Sequence, residues 1–245
     1  MLLLVLAGTG TALATGLGAV PVFFLGRRAR ALRPVLLGFA AGVMGIASIV
    51  GLLAPALDEG SAGAVAAGLG AGCLFLLVTR RLLRSSELHV GSLRGARVTT
   101  SILVFSVLFV HSLPEGLAIG TAYASDTPGL GLFVILAIAL QNIPEGTSVA
   151  IPMAGAGFSR AQQFWAAVGT SAPQPLGAVV AFLAVEEVEA LLPVSFAFAA
   201  GAMLALVVVE MVPDGVSEGG WLRTAAGAAA GAALMLALSS LLGVE

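Results

Sequence analysis

The sequence predicts an all-α integral membrane protein with eight spanning helices. Three observations lead there. The first is composition: of 245 residues, 59% are hydrophobic and only 10% are charged, against about 25% charged in soluble domains. The second is a succession of eight apolar runs, each close to the roughly 20 residues that cross a bilayer. The third is charge sorting. All eleven basic residues are arginine, and all of them fall in alternate connections between the runs.

Taken in order, the runs cover residues 2–26, 34–57, 62–79, 99–122, 129–152, 161–185, 191–212 and 221–243, and are read as one polytopic transmembrane domain. The first follows Met1 with no basic n-region and continues too far for a cleavable signal peptide, so it reads as a spanning helix. Arg27, Arg28, Arg30 and Arg33 come before the second run. Arg80, Arg81, Arg84, Arg94 and Arg97 follow the third, Arg160 follows the fifth, and Arg223 follows the seventh. The other connections hold Asp58, Glu59, Asp126, Glu186, Glu187 and Glu189, with Glu245 at the end, and no arginine. The positive-inside rule then places the arginine side in the cytoplasm and both termini outside. Arginine without lysine fits a GC-rich bacterial genome, hence a multi-pass protein of the bacterial inner membrane. The abundance of Gly (32 residues) and Ala suits close helix packing in lipid. The single cysteine, Cys73, excludes an intramolecular disulfide framework and reads as a buried small hydrophobe. The net charge of -2 offers no basic patch for nucleic acid.

Two stretches break the apolar pattern. The fourth run contains His111-Ser-Leu-Pro-Glu-Gly116 and the fifth contains Gln141-Asn-Ile-Pro-Glu-Gly146. A carboxylate at membrane depth costs about 2.5–3.5 kcal/mol on insertion scales, so two glutamates and a histidine need compensation. His111 and Glu115 are four residues apart and share a helix face, as do Gln141 and Glu145. Pro114 and Pro144 cannot donate a backbone hydrogen bond, so the backbone is expected to weaken beside each pair. Gly116 and Gly146 are expected to relax it further. An imidazole, two carboxylates and nearby amide oxygens form a ligand set for a divalent metal, whose charge two glutamates would balance. A proton relay through the same histidine and glutamates is the alternative.

These residues resemble the ZIP (Zrt/Irt-like protein) family of divalent-metal transporters. The glutamine opening the second motif is similar to the GufA-type subfamily, as are Gly38-Phe-Ala-Ala-Gly-Val-Met44 and the stretch from Ala200 to Pro213. The resemblance implies a ZIP-like bundle that transports a divalent cation, foremost Zn²⁺, toward the cytoplasm. It also implies an elevator-like motion of helices 1, 4, 5 and 6 against 2, 3, 7 and 8, a homodimer, and the lipid bilayer as surroundings. No resident cofactor is expected. His111, Glu115, Gln141, Asn142 and Glu145 would form the transport site. Met44 would add a thioether or remain a core residue, and Ser112 would offer a hydroxyl oxygen.

One departure from the family bears on stoichiometry. Relatives often carry Glu-Pro in helix 6, where this chain has Gln174-Pro175; Gln174 keeps an amide oxygen as a candidate metal ligand but loses the charge. With Gln174 and Asn142 both neutral, one main metal site is expected, with a second, weakly held ion left open. Glu210 and Asp214, four apart, read either as an exit or relay station or as a hydrated interfacial pair. His89 and the acidic outer residues read as solvated. An enzyme is not expected: no H-E-x-x-H motif is present, and Ser112 and His111 are helix neighbours that point apart.

Overall fold

The computed structural model describes residues 1–90 and 96–244. Arg94 and Glu245 lie outside the described residues, as do the side chains of residues 27, 84–90 and 96–99, including His89. Eight helices long and apolar enough to cross a membrane are found among the described residues. They are α1 (Leu2–Leu25), α2 (Ala29–Glu59), α3 (Ala62–Val90), α4 (Ala96–Ala124), α5 (Leu130–Gly155), α6 (Arg160–Glu187), α7 (Glu189–Gly219) and α8 (Trp221–Leu242).

The count matches the sequence reading, and several boundaries move outward. At 31 residues, α2 and α7 are about 46 Å long, longer than the roughly 30 Å hydrocarbon core. Hydropathy falls where a helix leaves lipid, whereas the backbone continues. Arg30 and Arg33 therefore lie in the first turns of α2, and Glu210 and Asp214 lie inside α7.

The helices pack as two groups. In one, α1 lies on α5 and α6, and α4 lies on the same two. In the other, α2 packs on α8 and α7, and α3 on α7. The groups meet where α2 crosses α5 and α4 crosses α7. Arginines of several helices gather at one end of the bundle. Arg33 pairs with Glu218, Arg80 Nε lies 2.9 Å from Glu210 Oε1, and Arg160 Nη2 donates to the Phe23 carbonyl at 3.3 Å. The half toward the other end is filled with buried apolar side chains, among them Leu52, Ile119, Phe133, Ile138 and Phe196. Cys73 is half-buried rather than buried, and its thiol donates to the Gly201 carbonyl at 3.3 Å.

Backbone irregularity falls elsewhere than the sequence predicts. The helices run unbroken through Pro114 and Pro144. Neighbouring helices touch the backbone two residues beyond each proline, at Gly116 and Gly146, which leaves no room for a wider turn. The widened turns are in α2 and α7, as π turns at Ile49–Leu53 and Val207–Met211. Each is followed two residues later by a proline, Pro55 or Pro213, whose missing N–H lets the preceding turn add a residue. The third interruption divides α6 at Ser171 and Ala172, between Arg160–Thr170 and Pro173–Glu187.

Candidate metal centre

The two P-E-G elements meet because α4 and α5 are antiparallel. α4 leaves the arginine end and α5 returns to it. His111 is therefore level with Glu145, and Glu115 with Gln141. The contacts follow this crossed pattern. Gln141 Nε2 donates to Glu115 Oε1 at 2.8 Å, while His111 and Glu145 line one cavity of about 290 Å³. That cavity also touches Arg33, Arg80, Glu210 and Asp214. It runs from buried residues to Thr100 and Asp214, which are exposed, so the centre opens toward the arginine end.

The glycines of the motifs act through close approach, not through loosened backbone. A methyl group on Gly116 would lie 2.5 Å from the Gln174 carbonyl oxygen, and one on Gly146 would overlap the Thr15 carbonyl. Without side chains there, α4 reaches the break in α6 and α5 reaches α1. The carboxylate of Glu115 is thereby brought into a hydrogen-bonded knot of four helices. Gln174 Nε2 donates to Glu115 Oε2 at 2.7 Å. Gln174 and Asn142 face each other as reciprocal amides, at 3.1 and 3.3 Å. Thr11 Oγ1 donates to Gln174 Oε1 at 2.7 Å, and Asn142 Nδ2 donates to the Thr11 carbonyl at 2.7 Å. Thr15 and Ser171 share a hydroxyl hydrogen bond of 2.6 Å.

Other polar atoms of the two motifs lack such partners. His111 Nδ1, Gln141 Oε1 and Glu145 Oε1 are buried with no hydrogen-bond partner among the described residues. A buried polar atom left so costs about 1–3 kcal/mol. Met44 of α2 is fully buried and borders a void of about 10 Å³ with His111 and Glu115. Ser112 is buried on α4 beside them. Among the described residues, no three His, Cys, Asp or Glu side chains are drawn together tightly enough to cage an ion in this state.

A family model described as "ZIP Zinc transporter" matches residues 79–239, about two thirds of the chain, including both motifs, Gln174 and Glu210. The chain belongs to the ZIP zinc transporter family. Zinc transporter GufA of Myxococcus xanthus is 36% identical over 232 residues, covering 90% of this chain and 89% of that protein. Zinc transporter ZIPB of Bordetella bronchiseptica is 34% identical over 256 residues, covering 98% of this chain and 81% of that protein. A longer Arabidopsis thaliana sequence is 38% identical over 236 residues, and this chain spans 37% of its length.

Within this ZIP bundle the residues singled out by sequence fall into distinct sets. His111, Glu115, Gln141, Glu145 and Met44 surround the centre. Asn142 and Gln174, expected among the metal-ligating residues, are held by protein partners in this state, because the Asn142 amide is bonded to α1 and α6 and the Gln174 amide to α1, α4 and α5. Glu210 and Asp214 border the cavity nearer the arginine end. Sequence reasoning passed over Thr11, Thr15 and Ser48. The hydroxyl of Ser48, one turn from Met44, is buried without a partner among the described residues. A four-residue spacing of hydroxyls in an apolar run, Thr11 and Thr15, was the available signal.

Proposed function

We propose that this chain carries divalent transition-metal ions, Zn²⁺ foremost, through the membrane toward its arginine side, the cytoplasm by the positive-inside rule. The observation that carries the proposal is the set of unpartnered buried atoms. Two of them, an imidazole nitrogen and a carboxylate oxygen, belong to His111 and Glu145, which line one cavity, and the third is the amide oxygen of Gln141, whose amide nitrogen holds Glu115. Their types suit Zn²⁺, and the Met44 thioether would add a softer donor. The family resemblance and the zinc-transporter names of the relatives favour the same reading.

Transport proceeds by alternating access. The packed half beyond the centre and the cavity before it are what a carrier holds in its inward-facing state. The group α1, α4, α5 and α6 moves against α2, α3, α7 and α8, an elevator-like step supported by the way the helices pack in two sets. To load an ion, Glu115 exchanges an amide N–H for the metal, and Gln141 already presents its free oxygen.

One main metal site serves the cycle. Gln174 and Asn142 support this count: where a second cation would need charge, two neutral amides satisfy each other and Glu115. The test uses purified protein in liposomes with Zn²⁺ alone. Metal uptake down a gradient is expected, with one tightly bound ion per chain by elemental analysis. Gln174→Glu is expected to raise that count to two. Proton flux abolished by Glu145→Gln in vesicles that move no metal would overturn the reading in favour of a proton conductor. Two tight ions in the unaltered chain would overturn the single site.

A further inference from the structure

The exit side of the cavity contains an ion pair that the transport step above does not use. Arg80, in the second half of α3, places Nε 2.9 Å from Glu210 Oε1, and their side chains are 21% and 17% exposed. Glu210 is carried on the π turn Val207–Met211 of α7. Both residues line the cavity that holds His111 and Glu145 at its inner end and exposed Asp214 at its mouth. An ion leaving the centre for the arginine end therefore travels past Glu210.

A half-buried carboxylate beside that path is a hazard to a carrier. Shielded from bulk water, it attracts a divalent ion more strongly than an exposed one does, and its oxygens are ordinary metal ligands. With Asp214 one helical turn away, it could hold an ion that has already left the centre. The guanidinium of Arg80 sits on that carboxylate first. Arginine keeps its charge at any physiological pH and is less strongly hydrated than lysine, so it serves as a permanent occupant.

We propose that Arg80 is a built-in counter-cation that keeps Glu210 from capturing the departing metal, so that ions pass from His111 and Glu145 to Asp214 and water without pausing. Arg80 is thus a positioning residue for release. Its role rests on the transport reading given above. A merely structural pair of this exposure contributes little to stability, and its loss would change neither metal count nor release.

The experiment removes the charge in the full-length chain. Arg80→Gln is made, with Arg80→Met as a second variant that keeps an apolar stem should the amide disturb folding. Zn²⁺ per chain is measured by elemental analysis, and the maximal rate of Zn²⁺ uptake is measured in liposomes. The bound count is expected to rise from one to two and the maximal rate to fall. Adding Glu210→Gln to the variant is expected to return the count to one. A variant that folds and keeps both the count and the rate of the unaltered chain overturns the proposal, as does an extra ion that persists in the double variant. If the unaltered chain moves no Zn²⁺, the transport reading fails whatever Arg80 does. Transport by the unaltered chain with an indifferent Arg80 variant sinks the counter-cation alone.

Discussion

Glu115 and Glu145 hold the same place in matching hexapeptides, and the bundle gives them opposite surroundings. Glu115 accepts hydrogen bonds from Gln141 and Gln174 and sits inside a four-helix knot. Glu145 faces the open cavity with one oxygen unpartnered among the described residues. The cause is helix direction. On antiparallel α4 and α5, the first residue of one motif is level with the fifth of the other, so His111 meets Glu145 at the cavity and Glu115 meets Gln141 in the knot. A sequence repeat fixes where a side chain sits on its own helix, and the neighbouring helices decide what it does. In these terms Glu115 is the anchored carboxylate and Glu145 the one open to the cavity.

The largest effect should come from Glu145→Gln. The centre would fall from two carboxylates to one, and loss of a buried charge partner costs about 2–5 kcal/mol, roughly 30-fold to several thousand-fold in metal affinity. Because one oxygen of that carboxylate has no partner among the described residues, the melting temperature of the metal-free protein should hold or rise. Zn²⁺ binding by calorimetry and thermal unfolding of the same preparation separate the two effects. A variant that loses stability along with binding would erase the contrast, since Glu145 would then be structural like Glu115.

Gln174→Ala addresses the other side. It removes a donor from Glu115 and an acceptor from Thr11 and Asn142, leaving buried groups that cost about 1–3 kcal/mol each. Metal affinity should fall about 10- to 100-fold, as when a residue that orients a ligand is lost. Here the metal-free protein should melt lower, the reverse of Glu145→Gln. Equal melting curves for the two variants would mean that the knot does not hold α1, α4, α5 and α6 together.

Much of this was legible in the sequence, for reasons of length scale. Eight spans and the grouping of arginines follow from composition over about 20 residues, and the polar residues of α4 and α5 stand out because membrane depth makes them costly. What escaped was tertiary. The prolines of the P-E-G motifs were expected to disturb the backbone, yet Pro55 and Pro213 accompany the π turns, because packing at Gly116 and Gly146 holds the other two helices straight. The break at Ser171 and the place of Thr11 depend on contacts between α1 and α6, far apart in the chain. The role of Gln174 was read from its lost charge alone. Its amide hydrogens, which hold Glu115, become visible only when four helices are assembled.

The smallest effect concerns Met44, which reaches the centre from α2, in the opposite group of helices. Met44→Leu conserves volume and should cost less than about 1.5 kcal/mol in stability. If the thioether touches the ion, the loss falls on softer cations: Cd²⁺ uptake in competition with Zn²⁺ should drop, and Mn²⁺ uptake should hold. An unchanged Cd²⁺ to Zn²⁺ ratio would make Met44 a packing residue and confine the centre to α4 and α5. A changed ratio would mean that the ion touches both groups of helices in one state. If α2 stays behind while α4 and α5 move, as in the proposed step, the metal would then lose a ligand during it, and Met44 would help to set where in the cycle the ion is held most tightly.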